Sequence, residues 1–592
     1  MRLRQCWRAS ANLAALPPGD SAGMQAALIM RAMPRSDQYL YPQCTPAQPL
    51  LAATLLLLRD RAQGGWEVLI SRRSEHASFA PGMYVFPGGG IEAQDAAAGP
   101  QVVQSRADMD EATRTAAVAA LRETLEEMGL LLAVDAQGAA ASPAAVQGLD
   151  RSAALWPQLV ARGLRLDASA LWQVGHFTAP PHLPKRFAVP FFVARMPQGQ
   201  TPVPDNSEQF EAVWVEPQQA LAAHQAKQMP MMLPTVRTLA YLSQFPSVDA
   251  IFAAVAQGPL WKFAPRFALE NGKERSLLDS DAAYGEAAMV SPDGQVVHEL
   301  AWQSERAVPL RNNVLRLTAP NANVMTGPGT NSYLVGEPAT GYIAIDPGPA
   351  DAAHVARLLE AAGGDVRHIV CTHSHADHSP GAFLLQALCV QRGLPKPQIY
   401  GLPSASTARP NSHFVPDVVL QDGERLALAA QALEGENTGS ITHTVRAVFT
   451  PGHAANHLCL LLEEDALLFS GDHILNGSTT IIDTPDGNMR DYIDSLDKLA
   501  ALCQTEGVEF VLPAHGYVLG HAQQVIAKLK AHRLAREAKV MAAMQALPQG
   551  SPQDWVALAY ADTPQNLWKL AERSLIAHVE RIRALGLLHV TD

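Results

Sequence analysis

A chain of 592 residues is too long for one hydrophobic core, because single cores stop growing near 250–300 residues, so several domains are expected. Hydrophobic content of 48% and charged content of 17% describe an ordinary globular protein. A net charge of −12 argues against a chain built mainly to coat nucleic acid, and the lack of eighteen consecutive apolar residues argues against a helical membrane span.

The start, Met1-Arg2-Leu3-Arg4, resembles the charged end of a signal segment, but Pro17, Pro18, Gly19 and Asp20 interrupt any apolar region behind it. Residues 1–48 are therefore expected to form an N-terminal extension. It is either a disordered leader or a segment upstream of a true start at Met24 or Met33. The six cysteines (Cys6, Cys44, Cys371, Cys389, Cys459, Cys503) show no CxxC spacing, which fits reduced thiols and a cytoplasmic location. Cys371 abuts a metal motif described below, yet reads as core filler.

Leu50 to Leu58 is a run suited to a buried strand and opens the first domain, residues 49–245. Phe86-Pro87-Gly88-Gly89-Gly90-Ile91-Glu92 follows another strand-like run. Ala116 to Met128 contains neither Gly nor Pro and predicts a helix. On it Glu123, Glu126 and Glu127 stand at i, i+3 and i+4 and share a face. Three crowded carboxylates repel unless a hard cation lies between them, and oxygen donors favour Mg²⁺ or Mn²⁺. An isolated cluster of this kind would read as a solvated acidic face; the preceding glycine loop and the closing Gly129 favour a metal site.

These motifs resemble the Nudix box, whose members cleave nucleoside diphosphates linked to another moiety. The usual spacing is broken, because Gly89 plus six lands on Asp95 and an insertion at roughly 95–114 delays Arg122 by about nineteen residues. The lead-in Pro81 to Gly89, with Arg186 to Phe192 and Glu211 to Val215, resembles the Nudix branch that includes a peroxisomal coenzyme A diphosphatase. The resemblance implies a small-molecule nucleoside-diphosphate-linked substrate such as coenzyme A, with Gly88, Gly89 and Arg122 at its phosphates. It also implies that Glu123, Glu126 and Glu127 hold the metal, with Glu123 or Glu126 as catalytic base. Glu208 or Glu211 is a candidate further ligand or base, and either also reads as surface acid.

Residues 246–307 mix a short apolar helix, Val248 to Ala256, with the turn Ser291-Pro292-Asp293-Gly294, and read as the end of the first unit plus a linker. The next domain, 308–525, holds Thr372-His373-Ser374-His375-Ala376-Asp377-His378, where four metal-binding side chains fall within six residues. Pro451-Gly452-His453, Ser470-Gly471-Asp472-His473 and Pro513-Ala514-His515-Gly516 follow. Each comes after an apolar run (Val445 to Phe449, Ala466 to Phe469, Val508 to Leu512) that would deliver its donor to one sheet edge. Imidazoles and carboxylates gathered so suit a pair of zinc-like ions with an open position for water, a pattern that scattered surface histidines would not produce.

In this order and spacing the four segments resemble the metallo-β-lactamase fold superfamily. The resemblance implies two Zn²⁺, one held by His373, His375 and His453. The other would be held by Asp377, His378 and His515, with Asp472 bridging and Asp346 supporting from behind. Two such ions lower the pKa of a shared water from about 15.7 toward neutrality, so the reaction class is hydrolysis, with Asp377 a candidate catalytic residue.

Residues 526–592 are predicted mostly helical. From His521 onward, nine Lys or Arg stand against six acids, a local +3, and Lys530, Arg533 and Arg536 share a helical face. Such a face is either solvated or a guide for a polyanion. Gly327 to Gly336, Ser470 to Leu475, Tyr492 with Ser495-Leu496, and His532-Arg533…Arg536-Glu537 resemble the metallo-β-lactamase subgroup that includes a mitochondrial lactamase-like endoribonuclease, with a winged-helix-like C-terminal module.

The expected architecture is therefore multidomain α/β. A Nudix α/β/α sandwich is followed by an αββα metallo-β-lactamase sandwich and a small helical module. The expected function is a two-site hydrolase. Its first site would cleave a pyrophosphate bond in coenzyme A or acyl-CoA, and its second single-stranded RNA or, alternatively, a thioester. A non-catalytic Nudix half is the other alternative, and β-lactam hydrolysis is disfavoured without a secretory leader.

Overall fold

The computed structural model describes residues 35–77, 80–302, 304–430 and 442–588, which divide into two compact units. The first holds Cys44–Asp281 with Asp293–His298; the second holds 35–43, Ala282–Pro292 and the chain from Glu299 on. The expected extension is thus split, with 1–34 outside the described residues and 35–43 built into the second unit. There Arg35 pairs with Asp465 at 3.0 Å and Gln38 donates to Glu337 at 2.8 Å. Cys6 and the last four residues also lie outside the described residues. No helix among the described residues is long and apolar enough to cross a membrane.

In the first unit, Leu50–Asp60 is central in a mixed sheet, parallel to Phe187–Arg195 and antiparallel to Trp66–Arg73. Its four successive leucines are fully buried because alternate side chains serve opposite faces. Leu55 and Leu57 pack under the helix Glu111–Met128, while Leu56 and Leu58 pack against the helices Leu233–Leu242 and Val248–Val255. Each such side chain contributes about 1.5–3 kcal/mol of burial. The glycines Gly88–Gly90 form a short strand paired with Ala52, Ala53 and Thr54, which carries the loop to the sheet edge beside the helix. Asp110 caps that helix by accepting from Thr113 N, and Gly129, at φ +66°, ends it in the left-handed region.

The second unit stacks two sheets. One runs in spatial order from Val308–Arg311 to Val418–Val419 in seven strands; the other runs from Arg425–Ala429 to Phe510–Pro513 in five. Their inner faces share a core that includes Tyr333, Val335, Val445, Leu460 and Phe469. Helices Ala352–Ala361 and Pro380–Gln391 cover one outer face, and Met489–Glu506 with Ala522–Ala546 the other, giving αββα layers. The C-terminal helices Pro552–Ala559 and Trp568–Ala584 pack with the end of Ala522–Ala546 around their own core of Val540, Trp555, Val556, Leu575 and Ile582.

Candidate metal centres

In the second unit every expected ligand sits just past the C-terminal end of a strand. His373, His375, Asp377 and His378 follow Val366–Val370, and His453 follows Thr442–Phe449. Asp472 follows Leu467–Gly471, and His515 follows Phe510–Pro513. Gly471 makes the exit possible. It lies at φ +48°, and a Cβ there would come within 2.7 Å of His457 Nε2 and 2.8 Å of Thr372 Oγ1.

The donors form two groups. One donor atom each of His373, His375, His453 and Asp472 lie within 4.8 Å of one another, and so do those of Asp377, His378 and His515. His375 Nδ1 stands 3.0 Å from both His373 Nε2 and His453 Nε2. Asp472 reaches both groups, with Oδ2 3.4 Å from His453 Nε2 and Oδ1 3.2 Å from His515 Nε2. Asp377 Oδ2 lies 3.2 Å from His378 Nε2 and 3.3 Å from His515 Nε2.

Partners behind the rings fix which nitrogen faces inward. Asp346 accepts from Thr372 N and Thr372 Oγ1, both at 2.7 Å, and from His378 Nδ1 at 3.0 Å. Because the Thr372 hydroxyl donates to Asp346, it accepts from His373 Nδ1 at 3.0 Å. His453 Nδ1 donates to Ile481 O at 2.8 Å and His515 Nδ1 to Gly329 O at 3.1 Å. Four rings therefore turn Nε2 to the centre, and His375 alone turns Nδ1. Asp346 holds this place with φ +47°, a left-handed conformation an aspartate tolerates at some cost.

The electrostatics call for cations. Burial, then the neighbouring imidazoles, pushes His375 down to about 3 and His373 well below its ordinary value, leaving both neutral with free lone pairs. Burial works against the charge of His515 too, but Asp472 and Asp377 raise it to about 10, and the same carboxylates raise His378. Protons there do work that a divalent ion would do better. His378 Nε2 and Asp472 Oδ1, both buried, make no hydrogen bond. Five imidazoles and two carboxylates so arranged fit two zinc-like ions. Asp346→Ala is expected to weaken metal binding about 10–100-fold, measured by chelator competition, because it frees both the His378 ring and Thr372.

Sequence reasoning overlooked His457 and Thr372. His457 Nε2 accepts the Asp472 backbone N–H at 3.2 Å and its Nδ1 meets Thr450 Oγ1 at 3.0 Å, so it steadies Asp472. Its signal was present, four residues past His453 in the same segment. His473 is buried against Tyr492, ring centroids 4.4 Å apart, with both nitrogens unpartnered and burial pushing it down to about 3.

In the first unit the displaced box closes in space. Arg122, 2% exposed, donates from Nε to Asp95 Oδ1 at 2.9 Å and from Nη2 to Asp95 Oδ2 at 3.1 Å, so Asp95 reaches Arg122 despite the insertion. Arg122 Nη2 also donates to Gly90 O at 2.9 Å, and Nη1 lies 2.9 Å from both Glu123 Oε1 and Glu126 Oε2. Arg122 thus organises carboxylates and the glycine loop. Glu127 is 5% exposed and engaged with the protein itself. Its oxygens accept from Gly88 N at 3.0 Å and Gln209 Nε2 at 2.9 Å, fastening the loop to the helix.

Gly89 leaves room for Glu123, since a Cβ there would collide with that carboxylate. Burial raises Glu123 to about 7; Arg122 opposes this, and Glu126 and Glu208 add to it. Two hard carboxylates that repel each other beside a glycine loop fit a Mg²⁺-like ion. Glu123 and Glu208 line a cleft of about 570 Å³ with Gly88–Gly90, Arg73 and Lys185, whereas Glu211 accepts from the Tyr84 hydroxyl at 2.9 Å.

The C-terminal basic face is not an open surface. Arg533 is buried and donates to Thr480 O, Arg536 pairs with Asp562 at 2.8 Å, and Lys530 pairs with Asp497.

Residues 325–515 match the Metallo-beta-lactamase superfamily, and 551–592 match the Beta-lactamase associated winged helix domain. The lactamase-like protein vrtG of Penicillium aethiopicum is 34% identical over 241 residues, 40% of this chain and 67% of that protein. The thioesterase pkgB of Emericella nidulans is 31% identical over 240 residues, 39% of this chain and 59% of that protein. The chain spans between 59% and 67% of the length of such fungal relatives. The crystal structure of a NUDIX hydrolase from Alicyclobacillus acidocaldarius is 31% identical and covers 36% of this chain and 96% of that one, with a TM-score of 0.31.

Proposed function

Because the C-terminal half of this chain belongs to the metallo-beta-lactamase superfamily, we propose that the protein is a two-site metal-dependent hydrolase whose C-terminal centre takes two Zn²⁺ and cleaves a thioester. The first unit we read as a Nudix pyrophosphohydrolase acting with Mg²⁺ or Mn²⁺ on coenzyme A or acyl-CoA. Both sites would then meet the same class of substrate, which makes the fusion coherent.

The observation that carries the thioester over an RNA phosphodiester is the fate of the C-terminal cations. Six of the nine (Lys530, Arg533, Arg536, Lys539, Arg573, Arg581) bond acceptors of the protein itself, including all three on the expected basic face. A polyanion guide needs such groups turned outward. The thioesterase named among the relatives supports the same choice.

At the C-terminal centre, zinc supplies an acidified water and polarises the carbonyl to be attacked. Asp377 accepts from Thr330 Oγ1 at 3.2 Å, and the adjacent imidazoles hold it below the usual carboxylate range against the effect of burial. Asp377 is therefore ionised and orients the attacking water as an acceptor. At the N-terminal site Glu123 and Glu126 would hold a divalent ion, which would supply positive charge against the pyrophosphate. Glu123, with its raised pKa, takes the proton of water as the P–O bond breaks.

The test is a panel of coenzyme A, several acyl-CoAs and single-stranded RNA, given to the purified full chain with defined metals. Asp377→Ala is expected to stop thiol release from acyl-CoA while release of 3′,5′-ADP continues, and Glu126→Gln to do the reverse. RNA cleavage that falls steeply with salt and is lost in Asp377→Ala would replace the thioester reading.

A further inference from the structure

The segment 480–483 touches the metal centre at two points and the C-terminal helices at three. Toward the centre, Ile481 O accepts from His453 Nδ1 and Thr480 Oγ1 donates to the main-chain carbonyl of Asp472, each at 2.8 Å. From the other side Arg533 donates to Thr480 O, Ser574 Oγ accepts from Ile482 N at 3.4 Å, and Arg573 pairs with Asp483 at 2.6 Å. Arg533 also lies over the Tyr492 ring, 5.0 Å from its centroid, and the Tyr492 hydroxyl donates to His473 O at 2.9 Å.

Folding alone gives little reason for this arginine. It is 3% exposed, and its Nε has no hydrogen-bond partner, which is a cost to the folded state. Its effect on the centre is specific. By fixing the Thr480 carbonyl it fixes the peptide whose next carbonyl, Ile481 O, receives His453 Nδ1–H. A neutral imidazole without that acceptor can carry its proton on Nε2 instead, and then offers the metal no lone pair.

We propose that Arg533 is a positioning residue of the metal centre, acting through Thr480 and Ile481 on His453 and Asp472. The C-terminal helical module thereby sets the affinity and geometry of the His373/His375/His453 position. This rests on reading the two donor groups as a zinc centre.

The experiment uses the full chain, chelator competition for zinc, and the visible spectrum of the Co²⁺-substituted protein. The wild type is expected to hold two zinc ions. Arg533→Met is expected to weaken the ion at the His373/His375/His453 position about 10–100-fold and to shift the Co²⁺ bands, and Arg533→Lys to restore part of both. Thr480→Val keeps the Arg533 bond, which runs to the main chain, but loses the donor to Asp472; a smaller weakening is expected. A wild type that binds no zinc defeats the reading of the centre itself. A wild type with two ions, matched in affinity and spectrum by both variants, defeats the positioning role alone. Should Arg533→Met not fold, Arg533→Lys decides, and a zinc affinity and Co²⁺ spectrum equal to the wild type's in that variant reject the role.

Discussion

Asp472→Ala is expected to leave the second unit with at most one tightly held zinc ion and to reduce its hydrolysis at least about a thousandfold, a loss of about 4 kcal/mol in transition-state stabilisation. Among the ligands this carboxylate alone belongs to one donor group and faces the other, with Oδ2 toward His453 and Oδ1 toward His378 and His515. Truncation removes an anionic donor from both groups at once. His515 then keeps only Asp377, and His378 keeps Asp377 and Asp346, to offset the desolvation of any positive charge they face. Rate falls with metal, because water outside such a centre has a pKa near 15.7 rather than about 7. The main chain at 472 still donates to His457 Nε2, so the fold is expected to survive. The measurement is bound metal after gel filtration, beside acyl-CoA thiol release and thermal unfolding. Retention of two tightly bound ions in a folded variant would show that Asp472 does not bridge.

Much of this centre was legible because it is written in short segments. HSHADH, PGH, SGD and PAHG each place their first donor one to four residues past a strand end, and strand ends gather at one sheet edge. Asp346 was legible for the same reason. Thr480, Ile481 and Arg533 were not, since a main-chain carbonyl accepting from an imidazole leaves no trace in residue type. Helical spacing placed Lys530, Arg533 and Arg536 on one side of Ala522–Ala546, but spacing does not say whether that side meets water or Thr480, Ala559 and Asp497. In the first unit the broken spacing at Asp95 read as a weakened box. Tertiary structure repairs it, because the inserted segment packs Ala98, Val102 and Val103 into the core and Asp95 meets Arg122. Helical periodicity placed Glu127 with Glu123 and Glu126 but does not show that the Gly88 amide and Gln209 bond its oxygens.

Glu123→Gln is expected to lower kcat/KM for pyrophosphate cleavage by about 10²–10⁴-fold, the usual range for loss of a general base. Glutamine keeps the volume beside Gly89 and an acceptor for Arg122, and Mg²⁺ affinity measured beside the rate separates loss of the proton acceptor from loss of a metal ligand. The pH profile gives the sharper reading. Burial first, then Glu126 and Glu208, raises Glu123 to about 7 against the pull of Arg122, so the ionised base forms only as pH rises through that value. Bound Mg²⁺ favours the ionised carboxylate, so the acid limb of wild-type kcat/KM is expected below pH 7 and to move up as Mg²⁺ is lowered, and Glu123→Gln to lose that limb. Stability should run the opposite way. The folded carboxyl holds its proton more tightly than the unfolded one, so its stabilising contribution is complete below about pH 4.5 and lost as pH rises through about 7. A divalent cation supplies the missing positive charge only when the carboxylate is ionised, so Mg²⁺ should raise the thermal midpoint of the first unit more at pH 8 than at pH 5.5. If Glu123→Gln binds Mg²⁺ as the wild type does and retains the wild-type acid limb, the base is another group of the same site, Glu126 or Glu208. The same profile on each of those two variants would identify which.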